Sequence, residues 1–206
     1  MDNRNYWTTS AAKPGEQFTH WREMICEAFL ALTPESDLRG GFAGSVTQWQ
    51  LGGLSLARIE SQRQRVHRTE AGIARNPIRG YYANLQVRGT SLMAQHGRVA
   101  ILHPGDLAVV DADEPFRFEF GEDFRQLSLF IPKGIREPAT HLRTATAVDT
   151  ATGVGAAVRH SMESLAKVPA PAAARLALHA AGMLSIAFEP GFPAPVRSPS
   201  IRALSR

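Results

Sequence analysis

HPGDLAVVDADEPFRFEF, residues 103–120, reads as a turn followed by two β-strands. The PGD tripeptide supplies the backbone angles that a tight turn requires. Three phenylalanines between residues 116 and 120 alternate with charged residues, so their rings share one face of the second strand. The stretch therefore predicts a segment that closes a small β-barrel.

The chain around this segment, from about residue 42 to 132, continues as short runs that turn residues separate. These runs predict the following strands: GFAGSVTQWQL, GLSLARIES, QRVHRT, RGYYANLQVRG, SLMAQ, RVAIL, DLAVVD, FRFEF and RQLSLFI. Because no helix-length segment interrupts them, we expect mainly antiparallel sheets. The pattern predicts an α+β protein that is mainly β, built on a jelly-roll barrel.

Helices are predicted on both sides of this barrel. Residues 16–32 place apolar side chains at three- and four-residue steps, and Pro34 follows as a helix stop. Residues 152–168 and 172–188 predict two further antiparallel helices, the second of which is apolar nearly all round. Such a helix needs more than one covering surface. Either the barrel and the preceding helix cover it, or a second subunit does so as a helical dimer interface.

These patterns predict four parts of the chain: an N-terminal tail at 1–15, a helix plus barrel at 16–132, a helical dimerisation region at 133–189, and a last part at 190–206. The last part begins as a proline-rich linker, and Ser198 with Pro199 then favours the start of a helix. A stable domain seldom stops where a helix starts. We therefore expect the chain to be part of a longer polypeptide.

The composition is that of an ordinary globular domain, with 206 residues, 44% of them apolar and 20% charged. A single cysteine, Cys26, excludes an internal disulfide and is typical of a reducing compartment. The N-terminus carries no apolar targeting segment, and no run reaches membrane-spanning length. The sequence thus predicts a cytoplasmic protein with no membrane partner.

The histidines argue against a metal site of the cupin type. Such a site needs two histidines flanking one residue, because alternate positions of a strand point the same way. The sequence contains no His-x-His, and its seven histidines are scattered. After the PGD turn, Asp106 is expected to stabilise the turn through its side-chain oxygen. The chain also lacks a Gly-x-Ser-x-Gly elbow, a phosphate-binding glycine loop and zinc-type cysteine pairs. It therefore predicts no metal, no cofactor and no catalytic residue, and hence not an enzyme.

A metal-free barrel of this size can still enclose one small molecule. In GLSLARIES, Arg58 shares a face with Leu54 and Leu56, and its guanidinium could hold a carboxylate by paired hydrogen bonds. Alternatively, Arg58 lies at a strand end and pairs with a surface acid.

The strand GYYANLQVRG has one apolar face, which should fill the core, and one face that carries Tyr82 and Gln86. That second face either lines a pocket or meets solvent. Trp49 and His67 are further candidate pocket walls, although the arginine-rich surroundings of His67 also suit a solvated strand. The candidate ligand-binding residues are thus Arg58, Tyr82, Gln86, Trp49 and His67. The arginines in this part of the chain favour an anionic or aromatic acid as ligand.

Taken in order, these segments resemble the N-terminal effector-binding domain of AraC/XylS-type transcriptional regulators, in the AraC-binding-like cupin subgroup. The resemblance rests on FTHWREMICEAF, LGGLSLARIES, RVHRT followed by EAGIAR, and YYANLQVRGTSLMAQHGRVAILHPGDLAVVDADEPFRFEFGEDFRQLSLFIPKG. It covers residues 16 to 190. The most specific part is the run from HGR through PGD to the alternating phenylalanines.

The resemblance implies a jelly-roll that binds a small effector, followed by helices that pair two subunits, here residues 153–188. In such regulators a C-terminal module of two helix-turn-helix units reads DNA. That module is absent from these residues, so the resemblance assigns DNA binding to a longer protein. Two alternatives remain open: a cupin-type metalloenzyme with unusual ligands, and a free-standing domain that dimerises with related regulators and blocks them.

Overall fold

The computed structural model describes residues 4–38, 40–135 and 142–189, which form two β-sheets and a set of helices. The predicted linker and helix start at 190–206 lie outside the described residues. The strands are β1 (Arg4–Thr8), β2 (Thr33–Glu35), β3 (Gly44–Leu51), β4 (Leu54–Ser61), β5 (Gln64–Arg68), β6 (Gly80–Arg88), β7 (Ser91–Gln95), β8 (Arg98–Leu102), β9 (Asp106–Asp111), β10 (Phe116–Phe120), β11 (Phe124–Pro132) and β12 (Val148–Asp149). The α-helices are α1 (Gln17–Ala28), α2 (Glu70–Arg75), α3 (Gly153–Leu165) and α4 (Ala170–Ala187).

The two sheets form a jelly-roll-type sandwich. The seven-stranded sheet has the order β1-β3-β4-β11-β6-β9-β12, and the five-stranded sheet has the order β2-β5-β10-β7-β8. Neighbouring strands pair antiparallel throughout. The predicted mainly-β jelly-roll with an N-terminal helix and two C-terminal helices is therefore confirmed.

Four of these strands and helices were not predicted from the sequence: β1, β2, α2 and the two-residue strand β12. Strand β1 lies within the expected N-terminal tail and pairs with β3 over its full length. Strand β2 contains Pro34 and lies at the edge of its sheet, where a missing backbone N–H is tolerated. Helix α2 starts at Thr69, whose hydroxyl accepts a hydrogen bond from the Gly72 backbone N–H at 3.1 Å.

The PGD turn has the geometry that its sequence predicts. The Asp106 N–H donates to the His103 carbonyl at 2.9 Å, and Gly105 has a φ of +92°, a backbone angle that favours glycine. The Asp106 carboxylate accepts a further bond from the His103 N–H at 2.7 Å. The expected turn-stabilising role of Asp106 is therefore confirmed.

Apolar side chains form two separate cores, one on each face of the seven-stranded sheet. The inner core fills the space between the two sheets, with α1 across one side. At this side a Cβ on Gly44 would come within 2.6 Å of the Trp21 ring, so glycine permits the close approach of α1 to β3. The outer core lies between the opposite face of the seven-stranded sheet and the hairpin of α3 and α4.

Helix α4 is long and apolar enough, by length and mean hydropathy alone, to span a membrane. In the fold, however, one side of α4 is buried against α3 and the strands β3 and β4. The residues of this side are mostly alanines: Ala173, Ala177, Ala180, Ala181, Leu184 and Ala187. Small side chains let the helix approach its neighbours closely, as in a packed core helix.

Residues 142–146 join three parts of the fold, and we call them the junction segment. The Arg143 N–H donates to the carbonyl of Phe188, just after α4, at 2.8 Å. The Ala145 N–H donates to the Val109 carbonyl on β9 at 2.9 Å. From the edge strand β8, Arg98 donates to the backbone carbonyl and to the hydroxyl of Thr144, each at 2.8 Å. The segment thus ties both sheets to the end of α4.

Candidate functional site

A cavity of about 70 Å³ lies between the inner faces of the two sheets, and we call it the intersheet cavity. Strands of both sheets and helix α1 supply its walls. Its aromatic lining consists of Trp21, Phe29, Tyr82, Phe116, Phe118, Phe120 and Phe124. The other polar side chains that line it are Gln64, Asn84, Gln126 and Ser128. This mixture of rings and a few fixed polar groups is typical of sites that bind small organic molecules.

The aromatic wall is built mainly by β10, whose alternating phenylalanines all face inward. The rings of Phe116 and Phe118 meet edge to face with centroids 5.5 Å apart. Those of Phe118 and Phe120 are stacked at 5.9 Å, and Phe120 is stacked on Phe124 at 3.6 Å. Such pairs stabilise one another beyond their buried area, so the wall presents a preformed apolar surface.

The polar side chains of the cavity hold one another in place. Ser128 donates its hydroxyl proton to Asn84 Oδ1 at 2.8 Å, and Trp21 donates its indole N–H to Gln64 Oε1 at 2.8 Å. Gln126 donates to Gln86 Oε1 at 3.1 Å. These bonds satisfy groups that would be costly to bury alone, and they fix the orientation of each amide.

Two of the predicted ligand-binding residues lie inside the sandwich. Tyr82 lines the intersheet cavity, where its ring packs 4.9 Å from that of Phe130. Burial raises the pKa of the Tyr82 hydroxyl, an effect that the charge of Arg68 partly offsets, so the hydroxyl stays protonated at neutral pH. Gln86 is fully buried behind the lining and orients Gln126. The face of β6 that carries both residues is therefore buried and does not meet solvent.

Arg58 and Trp49 lie together on the opposite, outer face of the seven-stranded sheet. Leu54 and Leu56 do share this face with Arg58, but they pack beneath the C-terminal helices and not around the cavity. The Arg58 side chain is half exposed, lies 3.7 Å from Glu60 Oε1, and covers the Trp49 ring at 5.9 Å. Arg58 thus pairs with a surface acid, which was the alternative expectation.

His67 also points away from the cavity. Its neighbours Val66 and Arg68 face inward on β5, so His67 faces the outer surface of the five-stranded sheet. There its Nε2 lies 3.9 Å from Glu35 Oε2. The structure therefore brings Tyr82 and Gln86 together, and places the other three predicted residues outside the sandwich.

Arg68 was not singled out by the sequence, although it shares the inward face of β5 with two cavity residues, Gln64 and Val66. Its side chain is 1% exposed. The guanidinium donates to the Ala31 carbonyl at 3.0 Å and to the Asn76 carbonyl at 2.6 Å. The period-two alternation along β5 was the signal that could have identified it.

A second, larger depression of about 880 Å³ lies on the surface of the molecule beside β5, β7 and β10. Six of its fourteen lining residues are charged, and some of these charges pair with one another, as in the 3.2 Å contact between Arg63 and Asp37. An apolar, aromatic lining with a few polar groups, not volume, favours a small-molecule site, so the intersheet cavity is the better candidate.

Metal-ligating side chains do not cluster in the described part of the chain. Within 4–38, 40–135 and 142–189, no group of three or more histidine, cysteine, aspartate or glutamate side chains is arranged to hold a metal ion. The polar lining of the intersheet cavity consists instead of neutral, hydrogen-bonded side chains. The arrangement can bind and orient a ligand.

The family model for the AraC-binding-like domain matches residues 21–188, which include every strand of the intersheet cavity. The chain belongs to this family. The AraC-binding-like domain is thus defined here by the sandwich, α1 and the helical hairpin together. The resemblance stated from the sequence is confirmed.

Curated relatives agree with the family assignment. The chain is 30% identical to the transcriptional activator NphR of Rhodococcus sp over 149 residues, which cover 68% of this chain and 44% of NphR. It is 26% identical over 127 residues to an uncharacterized protein in the nit 5' region of Bacillus sp. (strain OxB-1), covering 62% of this chain and 49% of that protein. The chain spans about half the length of these two relatives.

A solved structure supports the same fold for this AraC-binding-like domain. The crystal structure of the AraC-like transcriptional activator CuxR superposes with a TM-score of 0.76, at 18% sequence identity. The match covers 90% of this chain and 69% of the CuxR chain. At this identity the likeness concerns the arrangement of strands and helices.

Proposed function

We propose that this domain binds a small effector in the intersheet cavity and thereby controls transcription in the cytoplasm as part of a longer regulator. The observation that carries the proposal is the intersheet cavity itself, lined by seven aromatic rings and a fixed set of amides, in a chain of the AraC-binding-like family. In the longer protein, DNA binding would come from a module outside these 206 residues. The effector would bias how two such modules are presented.

The size of the cavity limits the effector and predicts a movement. A volume of about 70 Å³ corresponds to roughly two water molecules at ~30 Å³ each. Pockets that hold larger ligands usually measure about 300 Å³ or more. A compact, single-ring effector therefore suits the site best, and its entry requires the aromatic side chains to shift outward.

A thermal-shift screen of the purified domain tests this proposal. A panel of single-ring acids, amides, aldehydes, amines and sugars should contain compounds that raise the melting temperature, since a ligand that binds only the folded state stabilises it. Val110→Phe, which fills the cavity wall on β9, should abolish these shifts. The matched control is Val99→Phe on the exposed face of β8, which should retain them. No shift with any compound, or shifts that survive Val110→Phe, would refute binding in this cavity.

We further propose that two copies pair through the helical hairpin, residues 153–188, as the sequence predicts. The side of α4 that faces away from the sheet carries Ile186, which is 50% exposed, and the half-buried Met183. Helix α4 contains no acidic residue, so an apolar partner surface meets no negative charge on it. A second α4 offers a surface of the same chemistry, as a two-fold interface requires.

Light scattering coupled to gel filtration tests the pairing. The wild-type domain should elute with the mass of a dimer, and Ile186→Glu should yield a monomer, because a carboxylate would be buried without a partner. Ile101→Glu is the matched control, since Ile101 is similarly exposed, at 55%, but lies on β8 of the other sheet. A monomeric wild-type protein, or a dimer unaffected by Ile186→Glu, would contradict this interface.

A further inference from the structure

Arg68 is a buried cation that has no anionic partner in the described part of the chain. Its guanidinium bonds are to backbone carbonyls of Ala31 and Asn76, and no described carboxylate lies within 4 Å of it. Burial lowers the pKa of Arg68, but an arginine side chain stays protonated in proteins. An uncompensated buried charge is costly, so its retention inside the sandwich needs a reason.

Another basic side chain of low exposure, that of Lys133, has carboxylate partners. Lys133 is 19% exposed, and its Nζ lies 2.8 Å from Asp111 Oδ2 and 3.1 Å from Asp113 Oδ2. Two carboxylates thus contact the lysine directly, whereas Arg68 is more deeply buried and hydrogen-bonds only to two carbonyls, with the charge of Asp113 acting on it from beyond ion-pair distance. Arg68 therefore has an unused capacity to attract an anion.

Two hydrogen-bond donors are also unused at this place. The Nε–H of Arg68 is buried and has no acceptor among the described residues. The Tyr82 hydroxyl likewise makes no hydrogen bond within the described ranges. The two groups are near enough for the charge of Arg68 to act on the ionisation of Tyr82. A guanidinium N–H and a phenol hydroxyl can each donate to a carboxylate.

Arg68 lies next to one end of the intersheet cavity but is not one of the residues that line it. Across the strand pair, Arg68 is opposite Phe116, which belongs to the aromatic wall. The carbonyl that it holds, that of Ala31, lies between two cavity-lining residues, Leu30 and Leu32. The opposite end of the cavity, near Gln64 and Gln126, carries only neutral groups. The cavity itself thus has an aromatic wall and neutral polar groups, and the cationic Arg68 lies just outside its lining, beside Phe116.

We propose that Arg68 recognises the anionic group of the effector, and that the effector is a single-ring aromatic carboxylate. Its ring packs on the phenylalanines of β10, and its carboxylate accepts hydrogen bonds from Arg68 Nε and from the Tyr82 hydroxyl. The proposal rests on the proposed function, since it names the ligand class of the same cavity. It retains the anionic aromatic ligand expected from the sequence but assigns its recognition to Arg68 in place of Arg58.

Isothermal titration of the wild-type domain tests the ligand class with matched probes. Benzoate and phenylacetate are compared with benzamide and phenylacetamide, which have the same shape without the charge. The carboxylates should bind at least about tenfold more tightly, because hydrogen bonds to a charged acceptor are stronger than those to a neutral amide. Equal or tighter binding of the amides would overturn the proposal. If the four probes fail while other compounds bind and Val110→Phe blocks them, the cavity function stands and the anion inference is wrong.

Variants then separate recognition from a structural role of Arg68. Arg68→Met keeps an unbranched apolar stem and should lower carboxylate affinity about tenfold or more without changing amide affinity. Tyr82→Phe keeps the ring and should reduce the same preference by a smaller factor. Arg58→Met, on the outer face, is the control and should leave both affinities unchanged. If Arg68 only clamps the two carbonyls, Arg68→Met will lower stability and leave the preference intact. Should Arg68→Met fail to fold, as judged by circular dichroism, Tyr82→Phe and the wild-type selectivity decide.

Discussion

The two faces of the seven-stranded sheet are both buried, but their chemistry differs. On β6 the inward face carries Tyr82, Asn84 and Gln86, whereas the outward face carries Tyr81, Ala83 and Leu85. The outward residues pack under α3 and α4 as a continuous aliphatic layer. The inward ones join a network of amides and hydroxyls around a cavity.

The inward face of β6 shows that a polar strand face can be buried. A sheet face covered by helices gains most from aliphatic packing, since polar atoms there would have to find partners. On the inward face, the polar atoms do find partners in one another, at the expense of packing density. Retaining them is understandable if this face has to accept polar groups of a ligand.

The largest loss of stability is expected when the aliphatic core under α3 and α4 is disrupted. Leu129 on β11 is fully buried in the outer core. Leu129→Ala leaves a cavity between sheet and helices and should lower the free energy of unfolding by about 2–5 kcal/mol. Urea denaturation followed by circular dichroism measures this change. A loss below about 1 kcal/mol would mean that the helices collapse onto the sheet or pack only loosely.

A smaller loss of stability is expected when the polar network on the inward face of the sheet is disrupted. Ser128→Ala removes the hydroxyl that donates to Asn84 Oδ1, and leaves that buried oxygen without its donor. The free energy of unfolding should fall by about 1–3 kcal/mol. As a control, Ser185→Ala on α4 removes only a bond to the carbonyl one turn earlier, and should change it by less than about 0.5 kcal/mol. Equal effects of the two variants would show that water satisfies the Asn84 oxygen.

The two tyrosines on opposite faces of β6 should differ in how strongly they lower the stability of the fold at alkaline pH. Burial raises the pKa of both hydroxyls, and the shift of Tyr82 is the larger. A raised folded-state pKa means that the stabilising contribution is complete below the unfolded value of about 10 and is lost as the pH rises above it. Tyr82→Phe removes this loss.

Unfolding measured at pH 7 and at pH 11 should reveal this difference. Relative to wild type, Tyr82→Phe should gain about 1 kcal/mol on going from pH 7 to pH 11, since one proton is released on unfolding. Tyr81→Phe is the matched variant and should gain less. A larger gain for Tyr81→Phe would indicate that water reaches the inward face of the sheet.

The smallest change in stability is expected for a substitution outside both cores. Arg58 lies on the half-exposed part of the outer face, and its ion pair with Glu60 is open to water. Arg58→Ala should change the free energy of unfolding by less than about 1 kcal/mol, because exposed ion pairs contribute little. A larger loss in urea denaturation would mean that its stacking on Trp49 helps to seal the edge of the outer core.

Much of the fold was predictable from the sequence because its strands alternate and its turns carry glycine and proline. The strands from β3 to β11 and the three longer helices are all found within a few residues of their predicted bounds. β1, β2, the two-residue β12 and α2 were not predicted because they are short, and β12 forms only by pairing with β9. Each depends on a neighbour: β1 and β2 on pairing with β3 and β5, and α2 on the cap at Thr69.

The site was less predictable, and for a definite reason. Alternation shows which side chains share a face of a strand, but it does not show which face looks into the sandwich. Arg58 follows Leu56 and Arg68 follows Val66 at the same two-residue step, yet only Arg68 faces inward. Where both faces of a sheet are buried, the choice depends on the packing of helices that lie about a hundred residues further along the chain.

The junction segment has a consequence for the transmission of a signal. Val110 lines the cavity, and the carbonyl of the preceding Val109 is bonded to Ala145. Two residues earlier, the Arg143 N–H is bonded to the carbonyl of Phe188. A route of two hydrogen bonds and three peptide units thus connects the wall of the cavity to the end of α4. If a ligand displaces β9 outward, we expect the C-terminal end of α4 to move as well, because the junction segment is hydrogen-bonded to both.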